Sequence, residues 1–120
     1  MHLCRAAGAG SSRPCAAVSH RDATDLPADG LFRQLHGQGV LLEGMLLKPN
    51  MVLSALDCPQ QASVAQVAAA TVQCLLRTVP AAVPGVAFLS GGQSAQLASA
   101  HLNAMHVDFK GRLPWALTFS

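Results

Sequence analysis

Charge is what this sequence has least of: charged residues fill 12% of its 120 positions and hydrophobic residues 51%, whereas about a quarter of an ordinary soluble domain is charged. So little polar surface suits a piece of a larger core better than a complete small globule. The formal net charge is only +2, and Arg5, Arg13, Arg21, Arg33, Arg77 and Arg112 are scattered rather than clustered beside aromatics. Nucleic-acid binding therefore has no footprint. No apolar run reaches the roughly eighteen residues of a membrane span, and Met1 to Gly30 lacks the continuous apolar centre of a secretory signal, so no membrane role and a cytoplasmic location are expected. Cys-x-x-Cys pairs are missing too. Cys4, Cys15, Cys58 and Cys74 stand too far apart for one, and they read as free thiols in a reducing compartment. His101 and His106 are poorly spaced for a shared metal on one helix, so no metal site is expected.

Residues 1–30 are rich in Ala, Gly, Ser and Pro with neither a two-fold nor a 3.6-fold apolar period, and they read as a disordered extension. Leu31, Phe32 and Leu35 share a helical face before Gly37, which hands the chain to an apolar strand from Val40 to Lys48. Ser63 followed by Gln66 has the spacing of a capping box. The helix it opens carries Val64, Val67, Ala68, Thr71, Val72, Leu75, Leu76 and Val79 at helical intervals until Pro80 ends it. Pro84-Gly85 turns the chain into a strand over Val86 to Leu89, whose unbroken apolar character suits a parallel strand buried on both faces. A weaker helix follows from about Ala95 to Met105 with Ser94 as N-cap and Leu97, Ala98, His101, Leu102 and Met105 on one side. Trp115 to Phe119 then makes a last strand, short enough to be wholly buried, with Trp115 a core residue. Strands alternating with helices predict an α/β architecture of about three parallel strands.

Lys48 ends the first apolar run and is followed by Pro49-Asn50, so an amine is carried to the carboxyl end of a strand. An ordinary lysine has a pKa of about 10.4, and poising it as a nucleophile at pH 7 takes a downward shift of roughly three units, about 4 kcal/mol. Burial in so apolar a segment is a physical means of obtaining it. Glu43 lies an odd number of residues from Lys48, so on a regular strand the two point to opposite faces. A buried, paired carboxylate is the expected role of Glu43. Ser90-Gly91-Gly92, between a strand and a helix, offers backbone N–H groups unshielded by side chains to an anion; taken alone, two glycines there are more often a plain turn.

Three ordered segments carry a resemblance: Val40 to Asn50, with its Leu-Leu-Lys-Pro-Asn ending; Val79 to Ser94, with Phe-Leu-Ser-Gly-Gly-Gln-Ser; and Leu113 to Ser120, Leu-Pro-Trp-Ala-Leu-Thr-Phe-Ser. Together they resemble class I fructose-bisphosphate aldolases over about Leu31 to Ser120, leaving residues 1–30 unmatched. The resemblance implies a partial (β/α)8 (TIM) barrel, its sixth to eighth strands, since the complete barrel takes roughly 250 residues. It implies Lys48 as the Schiff-base nucleophile, with Ser90, Gly91, Gly92 and Ser120 binding the substrate phosphate and sugar. No cofactor is implied, the partner is a phosphorylated sugar, and the family commonly forms tetramers. The family's general acid/base glutamate, second lysine and aspartate belong to earlier strands, and its phosphate-binding arginine lies just beyond the position of Ser120. Two expectations therefore stand: a reversible aldol cleavage of fructose 1,6-bisphosphate to dihydroxyacetone phosphate and glyceraldehyde 3-phosphate, or a truncated, catalytically silent remnant that depends on a partner.

Overall fold

A computed structural model describes residues 25–54 and 58–120; the segment 1–24, with most of the expected extension, lies outside the described residues. Helix α1 spans Asp25–Gly37, so its first turn belongs to the stretch assigned from sequence to that extension. Phe32 is its buried anchor, at 7% exposure, and Leu31 and Leu35 pack beside it.

The apolar run after α1 is not one strand. Gly44 N–H donates to Leu41 O at 3.1 Å and Met45 N–H to Leu42 O at 3.3 Å, closing a 3₁₀ turn over Leu42–Gly44. Strand β1 is only Leu46–Leu47. The turn leaves Glu43 exposed, which overturns the expectation of a buried, paired carboxylate. An odd-even rule for a regular strand does not reach across a turn.

Helix α2, Val64–Thr78, starts as its sequence dictates. Gln66 N–H donates to Ser63 Oγ at 3.2 Å, and Ser63 N–H donates to Gln66 Oε1 at 2.9 Å, so two of the helix-end amides are satisfied reciprocally. Val67, Ala68, Thr71, Val72 and Leu75 are buried along one stripe, whereas Leu76, expected on that stripe, is 49% exposed. The loop before α2 is tied down by Val52 N–H, which donates to buried Thr71 Oγ1 at 3.0 Å. Cys58 in that loop and Cys74 on α2 are both disulfide-bonded, and no described cysteine is free. Their reading as free thiols is thereby overturned, because spacing along the chain does not report which sulfurs a fold brings within bonding reach.

Strands β2 (Gly85–Phe88) and β3 (Ala116–Phe119) complete a parallel sheet in the order β1-β2-β3. Leu46 and Leu47 pair with Gly85 and Val86, and Gly85 to Phe88 pair with Ala116 to Phe119. Helix α3, Ala95–Asp108, connects the last two strands; Ser94 Oγ accepts from Leu97 N at 3.2 Å at its start. Its buried side is Ala98, His101 and Met105, while Leu97 is 43% exposed. Helices α2 and α3 pack on each other. Leu47, Val86, Phe88 and Leu117 fill the sheet side of the core. Trp115 is buried among them and donates from Nε1 to Pro80 O at 3.0 Å. Strand β3 is not wholly buried as expected: Ala116 and Thr118 are exposed, because helices cover one face of the sheet and nothing among the described residues covers the other.

Candidate functional site

Because all three strands run in parallel and in register, their carboxyl ends lie on one edge of the sheet, the edge where α/β folds place reactive groups. Lys48 is the first residue after β1, Ser90 the second after β2, and Ser120 the first after β3. The ladder continues past the strands and draws these ends together: Leu89 N–H donates to Pro49 O at 3.1 Å, and Ser120 N–H donates to Phe88 O at 3.0 Å. All five residues singled out from the sequence (Lys48, Ser90, Gly91, Gly92, Ser120) thus belong to one edge.

Lys48 is exposed. The expectation that its apolar neighbours enclose it is not met, since side chains alternate along a strand and Leu47 turns to the helices while Leu46 and Lys48 turn to the open face. Register carries that face from Lys48 across β2 at Ala87 to Thr118 on β3, so small or polar side chains lie beside the amine.

The loop after β2 has the backbone that its glycines permit. Gly91 and Gly92 have φ of 58° and 88°, left-handed values that cost any other residue roughly 1–2 kcal/mol. A Cβ at Gly91 would also lie 3.4 Å from Asn50 Oδ1, so this turn sits close against the chain just beyond Lys48. Gln93 N–H closes the turn by donating to Ser90 O at 3.1 Å. Helix α3 starts directly afterwards, and its first-turn amides add the partial positive charge of a helix N-terminus to the same loop.

Two polar residues behind the loop have no role assigned from the sequence, although Gln93 lies within the Phe-Leu-Ser-Gly-Gly-Gln-Ser segment. The Gln93 side chain donates from Nε2 to Ser90 O at 3.0 Å and reaches Met51 Sδ at 3.6 Å, while His101 Nδ1 lies 2.6 Å from Gln93 Oε1. His101 is 2% exposed, and burial lowers its pKa from the ordinary 6.5. One signal was available: a histidine on the apolar side of a helix needs a polar partner, and the glycine loop is one of the two polar segments that flank this helix in the sequence. Among the described residues no cluster of His, Cys, Asp and Glu is placed to hold a metal ion, and no helix is long and apolar enough to cross a membrane.

Comparison with known proteins adds a family to this geometry. The sequence model of a family described as glycolytic, fructose-bisphosphate aldolase class-I, matches residues 18–120. A probable fructose-bisphosphate aldolase class 1 of Xanthomonas campestris is 50% identical over 99 residues, which are 82% of this chain and 29% of that protein. Fructose-bisphosphate aldolase B of Gallus gallus is 54% identical over 90 residues, covering 75% of this chain and 24% of that one. Among solved structures, a fructose-bisphosphate aldolase from Plasmodium falciparum, crystallised with TRAP and a small-molecule inhibitor, is similar with a TM-score of 0.73 and 47% identity over 88% of this chain and 28% of that chain. The chain therefore spans less than a third of the length of these relatives.

Proposed function

The chain belongs to the class I fructose-bisphosphate aldolase family, and from that premise we propose that Lys48 is a Schiff-base nucleophile and that Ser90, Gly91, Gly92 and Ser120 hold a phosphorylated ketose beside it. The activity is reversible aldol cleavage of fructose 1,6-bisphosphate. Residues 31–120 correspond in this reading to the sixth to eighth strands of a (β/α)8 barrel; the family match begins at residue 18 and α1 at Asp25, so an extension is shorter than the residues 1–30 expected from the sequence. The observation that carries it is the common edge: the chain following Lys48 is hydrogen-bonded to the chain leading into the glycine loop, Leu89 N–H to Pro49 O at 3.1 Å.

The neutral Lys48 amine adds to the C2 ketone, water leaves, and the imine nitrogen takes a proton from solvent to give the protonated imine. Loss of the C4 hydroxyl proton to a base breaks the C3–C4 bond, and its electron pair enters the imine to form an enamine. Glyceraldehyde 3-phosphate departs as the aldehyde. The enamine takes a proton at C3, and water hydrolyses the resulting imine to dihydroxyacetone phosphate and the free amine. Backbone N–H groups of the Gly91-Gly92 turn and the start of α3 fix a phosphate dianion, which holds the ketone near the amine and converts a bimolecular attack into a local one. Positioned acid/base groups each add roughly 10²- to 10⁴-fold; by resemblance these sit on barrel strands outside this chain, so full turnover belongs to a completed barrel and imine formation to this part of it. No cofactor enters these steps. A cytoplasmic location stays part of this proposal on the kinship with glycolytic aldolases; the disulfide-bonded Cys58 and Cys74 withdraw the reducing-compartment argument for it.

Incubation with dihydroxyacetone phosphate followed by borohydride reduction tests the assignment. Mass spectrometry is expected to find one reduced adduct on the peptide carrying Lys48, absent from Lys48→Ala. An adduct of equal yield in Lys48→Ala would reject the nucleophile.

A further inference from the structure

The least exposed polar side chain behind the glycine loop has no role in the reaction above, and its bonding is one-directional. Gln93 Nε2 is spent on Ser90 O at 3.0 Å and on Met51 Sδ at 3.6 Å, so its Oε1 is the atom that faces His101 Nδ1 at 2.6 Å. An amide oxygen only accepts, and the ring nitrogen opposite it must carry the proton. His101 is thereby set as the Nδ1–H tautomer, donating into a relay that runs from helix α3 through the Gln93 amide to the carbonyl of Ser90. Its imidazole is anchored in the core at 2% exposure, whereas Ser90 and Gly92 are exposed. The relay ties a solvent-facing loop to a rigid element.

We propose that His101 is a positioning residue for the anion loop, holding Ser90, Gly91 and Gly92 in their binding conformation through Gln93. A loop with two successive left-handed glycines has more conformations to lose than any other kind, and preorganising it removes that cost from ligand binding. The relay also crosses from β1's side to α3: Gln93 touches Met51, three residues beyond Lys48, so the same side chain fixes the loop relative to the chain that bears the amine. The meaning of this clamp for substrate rests on the proposed phosphate role of the loop; the clamp itself does not.

Hydrogen exchange at the Gly91 and Gly92 amides, measured in the full chain without ligand, separates the two. His101→Leu removes the donor at similar bulk, His101→Asn returns an N–H donor near the Nδ1 position, and Gln93→Ala breaks the relay from the loop side and leaves the core intact if His101→Leu does not fold. Exchange is expected to quicken about tenfold in His101→Leu and Gln93→Ala, the effect of losing about one hydrogen bond, and to return within about threefold of the parent in His101→Asn. Unchanged exchange in Gln93→Ala, or His101→Asn as fast as His101→Leu, overturns the clamp. A parallel titration of the parent chain with inorganic phosphate, read at the same two amides, tests the anion role separately: shifts at Gly91 and Gly92 that weaken about tenfold in Gln93→Ala support the clamp's functional meaning, and equal affinity in both proteins overturns that meaning.

Discussion

Leu46 and Leu47 are the same residue type, adjacent, in the same two-residue strand, yet one is 69% exposed and the other 2%. The pair samples the two faces of the sheet. On the helix side Leu47, Val86, Phe88 and Leu117 share a core with α2, and hydrogen bonds such as Trp115 to Pro80 satisfy the polar atoms caught in it. On the other side Leu46, Lys48, Ala116 and Thr118 are exposed. The difference teaches that packing and the proposed chemistry lie on opposite faces: the covered face supplies the folding energy, and the open one presents the Lys48 amine. In the proposed barrel reading it also accounts for the scarcity of charge, because a face turned to a barrel interior needs no charged coat.

The contrast is broken most directly by truncating each leucine. Leu47→Ala is expected to cost about 2–5 kcal/mol in denaturant unfolding, the range for buried leucines, and Leu46→Ala no more than about 0.5 kcal/mol. Similar losses at the two positions would mean that the open face is covered in solution. Next in size is Gly91→Ala, which forces a side chain into φ of 58° and to 3.4 Å from Asn50 Oδ1. A loss of roughly 1–2 kcal/mol should accompany weaker phosphate binding, whereas Leu47→Ala, on the covered face, should leave the affinity of the folded fraction alone. Ser63→Ala removes one half of the capping box and is expected to lower stability by about 1 kcal/mol, with no effect on imine formation.

A pH effect of the covered side is the smallest. Burial lowers the pKa of His101 in the folded chain below its ordinary 6.5, so on acidification the unfolded chain takes up this proton first. The contribution of neutral His101 is intact above pH 6.5, falls as pH drops below that value, and is fully lost once pH passes the lowered folded pKa. Unfolding curves between these limits should show that decline in the parent chain and lose it in His101→Asn; an identical pH profile in both would remove His101 as its source.

Much of the covered side was legible in the residues. Ser63 and Gln66, Ser94, the stripe Val67, Ala68, Thr71, Val72 and Leu75, and the burial of Trp115 all follow from local rules: a cap is written within four residues and a stripe within a few turns. Strand order and register carried Lys48, Ser90 and Ser120 to one edge as alternating strands and helices imply. The misreadings share a cause. Glu43, Lys48 and the last strand were assigned burial from apolar neighbours, but burial depends on which face is covered and on where a turn interrupts the strand. The disulfide bonds at Cys58 and Cys74 and the His101–Gln93 relay are tertiary pairings, and no spacing rule in one sequence reports them.

The claim at the centre is that the Lys48 amine and the anion loop act on one ligand from one edge of the sheet. Borohydride trapping rates for dihydroxyacetone phosphate and for unphosphorylated dihydroxyacetone, measured on the same chain at matched concentration, test it in a single comparison. Adduct formation at Lys48 is expected to be at least about tenfold faster with the phosphate, since an oriented, bound ketone reacts as if concentrated, and Gly91→Ala should erase that advantage. Equal rates for the two ketones in the parent chain would contradict the account.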